Sequence, residues 1–384
     1  MALLRALAVA ALAGGALASE PLADGQVQAE FEQFKLRHRR AYADAKEEAQ
    51  RLGHFRTSLE RVRAHNEESG RTFEMSVNQF ADMSDEEFSR KVLMSPQKCS
   101  ATHGPGKAVR APPAADLPTR IDWRERGVVS EVKNQGHCGS CWAFAATETI
   151  ESHVALNTGL LNELSMQELV SCMSNDNSCG GTGGCQGATA ELAFDYLAQY
   201  GMAELWTYGY LPEVYWNSVT GTNGACLRDE VYMSAGTAYP AAPRVATASG
   251  YELLPRNDYT EVMNAVAHVG PMAVNIDASE WHSYESGVFS GCAQNDVDIN
   301  HVVQLVGYGT THDGQDYWTI RNSWSPTWGE EGYIRLARSD GYCGTDFHNG
   351  DGVGCDYDPT NVTVCGMCGV MYDVSYPTGA GLAY

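Results

Sequence analysis

Cys141 stands in the stretch Asn134 to Phe144, NQGHCGSCWAF, and its surroundings suit a sulfur nucleophile. Ser140 and the residues from Trp142 to Leu156 are predicted to form a buried helix, with Gly159 just past its end as a helix C-terminus favours. Cys141 then falls in the first turn, where the helix dipole and the free backbone N–H groups favour a thiolate over a thiol. Gly136 and Gly139 let the backbone turn sharply and leave the sulfur open to a reactant. Gln135, six residues upstream, offers an amide donor to the carbonyl that the sulfur would attack. The plain alternative is that a cysteine in an apolar helix is a small hydrophobe or half a disulfide. Catalysis by a thiol also needs a base to hold its proton and return it to the leaving amine. The candidate is His301, directly before a β-branched run, 160 residues after Cys141; with 11 histidines in the chain, position alone would not select it. Asn322, in Arg321-Asn322-Ser323-Trp324, carries a side-chain oxygen able to hold an imidazole in one tautomer, and Trp324 would shield that bond from water.

These residues need elements to position them. Between Ile121 and about Gly236 the signals are mostly helical: Ser165-Met166-Gln167-Glu168 caps a helix reaching Cys172, and Ala190 to Tyr200 is a further helix ended by Gly201. From about Val262 the chain turns strand-rich, with strands expected at Val302–Tyr308, Tyr317–Arg321 and Gly332–Leu336. Helices first and strands later predict an α+β fold of two lobes with a cleft between them. Ahead of this, residues 29–94 are charged, periodic and free of cysteine. Phe31, Phe34 and Leu36 open a first helix; Glu47, Arg51, Phe55, Ser58, Val62 and Asn66 recur at steps of three and four along a second; Ser84-Asp85-Glu86-Glu87 reads as a capping box. Residues 95–118 have the Pro, Gly and Ala content of a linker.

The chain has 384 residues, of which 43% are hydrophobic, and a net charge of −22. Residues 115–384 hold 10 Lys+Arg against 33 Asp+Glu, whereas residues 1–114 hold 16 against 15. A domain that acidic should not seek nucleic acid or an anionic membrane. Twelve cysteines point to an oxidising compartment with disulfides. Met1 to Ala18 has one Arg, a short apolar run and the end Ala16-Leu17-Ala18, and reads as a secretory signal. Asn361-Val362-Thr363 is a glycosylation sequon. No cofactor motif is present, and no metal is expected. Cys365-Gly366-Met367-Cys368 is a C-x-x-C, but it lacks a good partner cluster and sits in an oxidising context.

C-G-S-C-W around Cys141, N-H-x-x-x-x-x-G-Y-G at Asn300, N-S-W at Asn322 and W-G-x-x-G-Y from Trp328 together resemble papain-like cysteine proteases of the cathepsin L-like kind. The six periodic positions from Glu47 to Asn66 resemble that family's ERFNIN propeptide motif, with Ser58 in place of Asn and Val62 in place of Ile. Ser76 to Asp82 resembles its second propeptide motif, with Ser76 in place of Gly. The resemblance implies a papain-like fold with a helical left lobe, a β-barrel-like right lobe and an N-terminal helical prodomain. It implies a signal peptide over 1–18, an inhibitory prodomain over 19–94, a cleavable linker over 95–116 that takes Cys99 away, and a peptidase domain over 117–384. It implies a cysteine endopeptidase made as a zymogen, in which a Cys141 thiolate and a His301 imidazolium form the resting pair, Asn322 orients the ring and Gln135 helps form the oxyanion hole. Substrates would be peptides or proteins, the prodomain an intramolecular inhibitor, the chain a monomer, and its place the secretory pathway, ending in a lysosome or vacuole or outside the cell.

By the same resemblance Gly139, Trp142, Gly187, Ala188, Asn300 and Trp324 line the substrate cleft. Thr189, Ala190, Asn275, Val302 and Asp373 wall its second subsite. Asn275 and Asp373 make that usually apolar pocket partly polar, so it should accept Arg or Lys beside hydrophobic side chains. Gln186-Gly187-Ala188 departs from the family's Asn-Gly-Gly. The resemblance supports disulfides Cys138–Cys185, Cys172–Cys226 and Cys292–Cys368. It leaves Cys179, Cys343, Cys355 and Cys365, whose four sulfurs allow three connectivities. Three of them lie in a Gly/Asp-rich insertion, Asp340 to Met367, that should be a surface loop stapled by disulfides. Two other classes compete: a catalytically dead homologue that serves as a binding protein, against which the intact Gln135, Cys141, His301 and Asn322 speak, and a thiol acyltransferase, against which the prodomain speaks.

Overall fold

The computed structural model describes residues 22–94, 117–211, 226, 228, 231–232, 238–239, 241–348 and 361–383. The expected signal segment, the linker with Cys99, and Cys355 lie outside the described residues.

The N-terminal part is built on two crossing helices, α1 (Asp24–His38) and α2 (Ala45–Glu67). Asp44 caps α2 by accepting the N–H groups of Lys46 and Glu47. Val27, Phe31 and Phe34 of α1 are buried, and the Phe31 ring lies 5.4 Å from Phe55 of α2. Leu36 is 73% exposed, since two steps from Phe34 carries it round the helix to solvent. Phe55, Ser58 and Val62 of the periodic set are the buried residues of α2. The polar members of the set hold the next segment. Asn66 bonds both the N–H (2.9 Å) and the carbonyl (2.8 Å) of Met75 in strand β1 (Phe73–Met75). Arg51 pairs with Glu87 of α3 (Asp85–Val92), which Ser84 caps at 3.1 Å.

The remainder runs through β2 (Ile121–Asp122), α4 (Cys141–Thr158), α5 (Met166–Cys172), α6 (Ala190–Tyr200) and β3 (Met202–Ala203). It continues with β4 (Val231–Tyr232), β5 (Ala238–Tyr239), β6 (Arg244–Thr247), β7 (Gly250–Leu253), α7 (Tyr259–His268), β8 (Met272–Ile276) and β9 (Tyr284–Phe289). Last come β10 (His301–Thr310), β11 (Asp316–Arg321), β12 (Tyr333–Ala337), β13 (Cys343–Asp346), β14 (Val362–Cys365), β15 (Asp373–Thr378) and β16 (Gly381–Leu382). A nine-stranded sheet in the order β1-β9-β12-β11-β10-β8-β15-β7, with β2 on β10, forms one lobe; α4, α5 and α6 form the other. β1 of the N-terminal part is the edge strand of that sheet, Phe73 opposite Gly287.

Helix α4 is buried from Cys141 to Ala155, because the second lobe closes over the side that a surface helix would leave in water. Two of its buried carboxylates lie against buried cations. Glu148 lies 3.1 Å from Nε of Arg321 at the end of β11, and Glu151 receives Lys133 Nζ at 2.8 Å. The first of these pairs ties the helix that begins at Cys141 to the strand that precedes Asn322. Disulfides join Cys138–Cys185, Cys172–Cys226, Cys292–Cys368 and Cys343–Cys365. Both sulfurs of the C-x-x-C are therefore bridged, each to a different partner.

Candidate active site

Cys141 is the first residue of α4, so its sulfur sits at the positive end of the helix dipole. Ser140 is the N-cap residue but its side chain makes no capping bond; its hydroxyl lies 3.0 Å from the Tyr210 hydroxyl. Backbone N–H groups of Val302 and Trp142 point at the sulfur, which places it beside the start of β10.

His301 opens β10, opposite Ile276 of β8. Its Nε2 lies 2.8 Å from Asn322 Oδ1, and that oxygen also accepts the Ser323 N–H at 2.8 Å. Two donors on one oxygen fix the amide orientation and leave the ring proton on Nε2. Nδ1 has no hydrogen-bond partner and is the nitrogen left to take a thiol proton. Trp324 stacks on the ring at 4.8 Å, and Trp281 meets it edge-on at 6.3 Å, so the Asn322–His301 bond is shut away from water.

Gln135 is aimed by Ser323, whose hydroxyl donates to Oε1 at 2.6 Å. The amide nitrogen then faces the cleft and donates to the carbonyls of Val92 and Cys138, each at 2.9 Å. Val92 belongs to the N-terminal part. The two residues after it stay in the cleft, where the Met94 N–H donates to the Asn300 carbonyl at 2.8 Å. Gly139 is required here, since a Cβ would fall 2.6 Å from the Cys185 carbonyl and 3.3 Å from that of Leu93. The Met94 Cβ lies 3.2 Å from where a Cβ on Gly187 would stand. Trp142 is fully buried, with its indole N–H on the Gly184 carbonyl at 3.1 Å.

This cover changes the electrostatics. Burial pushes the Cys141 thiol up to about 12, against the pull of the backbone N–H groups. Burial likewise pushes His301 down to about 4, against its bond to Asn322. In the covered cleft burial therefore works against the expected thiolate–imidazolium pair and favours the neutral forms, because removing a lone charge from water costs free energy that the helix dipole has to offset.

The residues expected around the second subsite come together by register. Val302 of β10 faces Asn275 of β8, which faces Asp373 of β15, forming one row across three strands. Asn275 Nδ2 donates to Asp373 Oδ2 at 2.6 Å. Thr189 caps α6 by accepting the Leu192 N–H at 3.4 Å. Ala188, Ala190, Val302 and Met94 belong to one buried cluster. Asp373, expected as a counter-ion, is buried, and its carboxyl is held well above the usual range, first by burial and then by the charge of Glu191. Sequence reasoning missed Glu191, because an acid in the first turn of α6 reads as an ordinary dipole partner. It also missed Ser323, whose only signal was its place beside Asn322. Asn361 is exposed and immediately precedes β14. Among the described residues, no group of three or more His, Cys, Asp or Glu is placed to hold a metal ion, and no helix is long and apolar enough to cross a membrane.

Residues 117–349 match the family described as papain family cysteine protease, and residues 31–88 match the cathepsin propeptide inhibitor domain. A probable cysteine protease of Arabidopsis thaliana, RDL3, is 36% identical over 82% of this chain and 78% of its own length. A cathepsin L-like peptidase of Aedes aegypti is 34% identical over 83% of this chain and 91% of its own. Among solved structures, the recombinant stem bromelain precursor superposes with a TM-score of 0.71 at 30% identity, covering 92% of this chain and 99% of that one. Digestive procathepsin L 3 of Tenebrio molitor larval midgut gives 0.69 at 33% identity, again covering 92% and 99%. These superpositions span nearly the whole chain, and the chain belongs to the papain family of cysteine proteases, with a cathepsin-type propeptide inhibitor domain ahead of the protease domain.

Proposed function

We propose that this endopeptidase zymogen hydrolyses peptide bonds through a thioester on Cys141. The sulfur attacks the scissile carbonyl as its proton passes to His301 Nδ1. Gln135 Nε2 and the Cys141 backbone N–H hold the oxyanion, each good donor contributing about 3 kcal/mol. His301 then protonates the leaving amine, which departs. A water gives its proton to His301, attacks the thioester and releases the acid, and the sulfur recovers its proton. Asn322 keeps the ring in the tautomer that these transfers need.

One observation carries this reading. The N-terminal part lays Val92 to Met94 across the cleft, with the Val92 carbonyl on the Gln135 amide and the Met94 N–H on the Asn300 carbonyl. These are the partners a peptide substrate would use, occupied by a chain that blocks them. We assign residues 1–18 to a secretory signal, 19–94 to the inhibitory prodomain, 95–116 to the cleavable linker and 117–384 to the peptidase, a monomer of the secretory pathway that bears a glycan on Asn361. Once Met94 leaves, the second subsite takes hydrophobic side chains, and also basic ones when Asp373 is ionised. The test is acid activation of the full-length precursor, with N-terminal sequencing of the product and titration by a thiol-directed epoxide. Cys141→Ala and His301→Ala should fold and fail to turn over a fluorogenic dipeptide. Turnover by purified Cys141→Ala would refute the assignment.

A further inference from the structure

The insertion after Ser339 plays no part in the chemistry above, yet its two described arms lie against the segment that leads to His301. β13 and β14 pair antiparallel, Cys343 opposite Cys365 and Asp346 opposite Val362, and a disulfide closes the pair. Residues 293–300 form no helix or strand of their own. They run from the Cys292–Cys368 disulfide to the start of β10, and between those ends β13 holds them. The Thr345 N–H donates to Asn295 Oδ1 at 3.0 Å, and the Asp296 N–H donates to the Thr345 carbonyl at 3.1 Å. The Phe347 N–H donates to Asp296 Oδ1 at 2.9 Å, with His348 Nδ1 3.3 Å from the same oxygen. The two segments meet so closely at Gly344 that a Cβ there would fall 1.5 Å from the Gln294 carbonyl oxygen. Val297 and Ile299 of the loop also share a small separate core with Val362, Val364 and Tyr372.

The loop ends at Asn300, whose carbonyl receives the Met94 N–H at 2.8 Å. The Asn300 side chain is fixed by the Ala278 N–H at 3.0 Å and by Ser279 Oγ at 2.9 Å. His301 is supported from another direction, by Asn322, Trp324 and its register with Ile276. The Asn300 N–H also donates to the Ile276 carbonyl at 3.1 Å, so the two neighbours share β8, but the loop leading to Asn300 is held by β13 whereas the His301 ring is held by Asn322 and Trp324.

We propose that the β13–β14 arm is a positioning element for substrate binding, holding residues 293–300 so that the Asn300 carbonyl meets a main-chain N–H of the peptide in the cleft. This rests on Asn300 being a substrate acceptor, as argued above. Gly344, Thr345 and Asp296 are positioning residues, and none of them is placed at the reacting atoms. Freeing the arm loosens the grip on an extended peptide and leaves the Cys141–His301 pair in place.

The test compares Gly344→Ala, Asp296→Ala and Asp296→Asn in enzyme activated from the full-length precursor. Asn keeps an oxygen acceptor and tolerates the left-handed backbone at this position, φ 51°. Two quantities are measured: kcat and KM on an extended fluorogenic peptide, and the rate at which iodoacetamide alkylates Cys141, which needs only the reacting pair. Gly344→Ala and Asp296→Ala should raise KM about five- to tenfold, the worth of one main-chain hydrogen bond. kcat and the alkylation rate should be little changed, and Asp296→Asn should recover most of the binding. An unchanged KM in both disruptive variants overturns the proposal, as does an alkylation rate that falls in step with kcat/KM. Should Gly344→Ala fail to fold, the two Asp296 variants decide alone. A wild-type enzyme that is alkylated but does not cleave the peptide would refute the peptidase reading instead.

Discussion

His282 should make prodomain docking weaken as the solution turns acid. It lies in the sheet lobe, 7% exposed, against the N-terminal part. Arg61 Nη1 of α2 lies 2.9 Å from its Nε2, and Arg61 is in turn held by Asp85 at 3.0 and 2.7 Å. The Phe88 ring of α3 covers the imidazole at 5.5 Å. An arginine has only donors, so Nε2 must accept and the ring must be neutral. Burial, and secondarily the charge of Arg61, push His282 down to about 4 from its ordinary 6.5, with Asp85 opposing. When the prodomain leaves, the arginine and the phenylalanine leave with it, and the ring returns toward its ordinary value. Docking is therefore favoured in full above pH 6.5 and loses strength as pH falls toward 4. Between pH 7 and pH 5 this one group weakens docking about 20-fold, or about 2 kcal/mol.

The assay is hydrogen exchange in the Cys141→Ala precursor, which cannot process itself. The informative amides are Ser76 and Met94, which bond across the interface to Ser283 and Asn300, each at 2.8 Å. After correction for intrinsic exchange, their protection should fall by the extra factor of about 20 on going from pH 7 to pH 5. His282→Gln keeps an oxygen that can accept from Arg61 but cannot gain a proton, and it should remove that factor. His301 is also buried and neutral, so some pH dependence should survive the substitution, and the difference between the two chains isolates His282. The same pH dependence in both would refute the reasoning.

Breaking the buried pair behind the site by Glu148→Ala should cost about 3–5 kcal/mol, because it strands Arg321, which is 0% exposed. Denaturant melts should show that loss, and Glu148→Met with Arg321→Met should recover much of it. Gln135→Ala should lower kcat about 10²- to 10³-fold with little change in KM, the pattern of a donor that acts mainly in the transition state. At the second subsite, the carboxyl of Asp373 is held high by burial and by Glu191, so it ionises only toward higher pH. The ratio of kcat/KM for Arg over Leu at that subsite should therefore rise with pH. Asp373→Asn should flatten the rise, and Glu191→Gln should move it to lower pH. A ratio that ignores pH in the unmodified enzyme would refute the counter-ion role.

Much of this was legible because local chemistry and tertiary need agree. α4 follows its apolar run to Gly159, whose φ of 77° suits the turn that glycine permits. The periodic residues of α2 divide as their chemistry suggests: Phe55, Ser58 and Val62 go inward, while Arg51 and Asn66 reach across to Glu87 and Met75. What could not be read depends on distant contacts. The Cys343–Cys365 bridge follows from the register of β13 on β14, which loop composition does not specify. Glu191 becomes informative only when β15 brings Asp373 beside it. The burial that pushes the Cys141 thiol up arises in a cluster that includes Met94 of the N-terminal part.

That last dependence bears on how the precursor stays inert. Obstruction alone would leave an armed nucleophile, ready for any small electrophile that slipped past the prosegment. Here the residues that fill the cleft also exclude water from the sulfur and the imidazole, and exclusion of water is what moves Cys141 up and His301 down. The charged pair would need both ions to be hydrated or well compensated. In the closed cleft, Nδ1 of His301 has no hydrogen-bond partner and Gln135 Nε2 is spent on Val92. Desolvation then favours the neutral pair, by the same effect that keeps lone charges out of protein interiors. Blocking and disarming are one physical act, and the reverse follows: whatever lifts Val92 to Met94 readmits water, frees the Gln135 amide and restores the conditions under which the dipole of α4 can favour a thiolate.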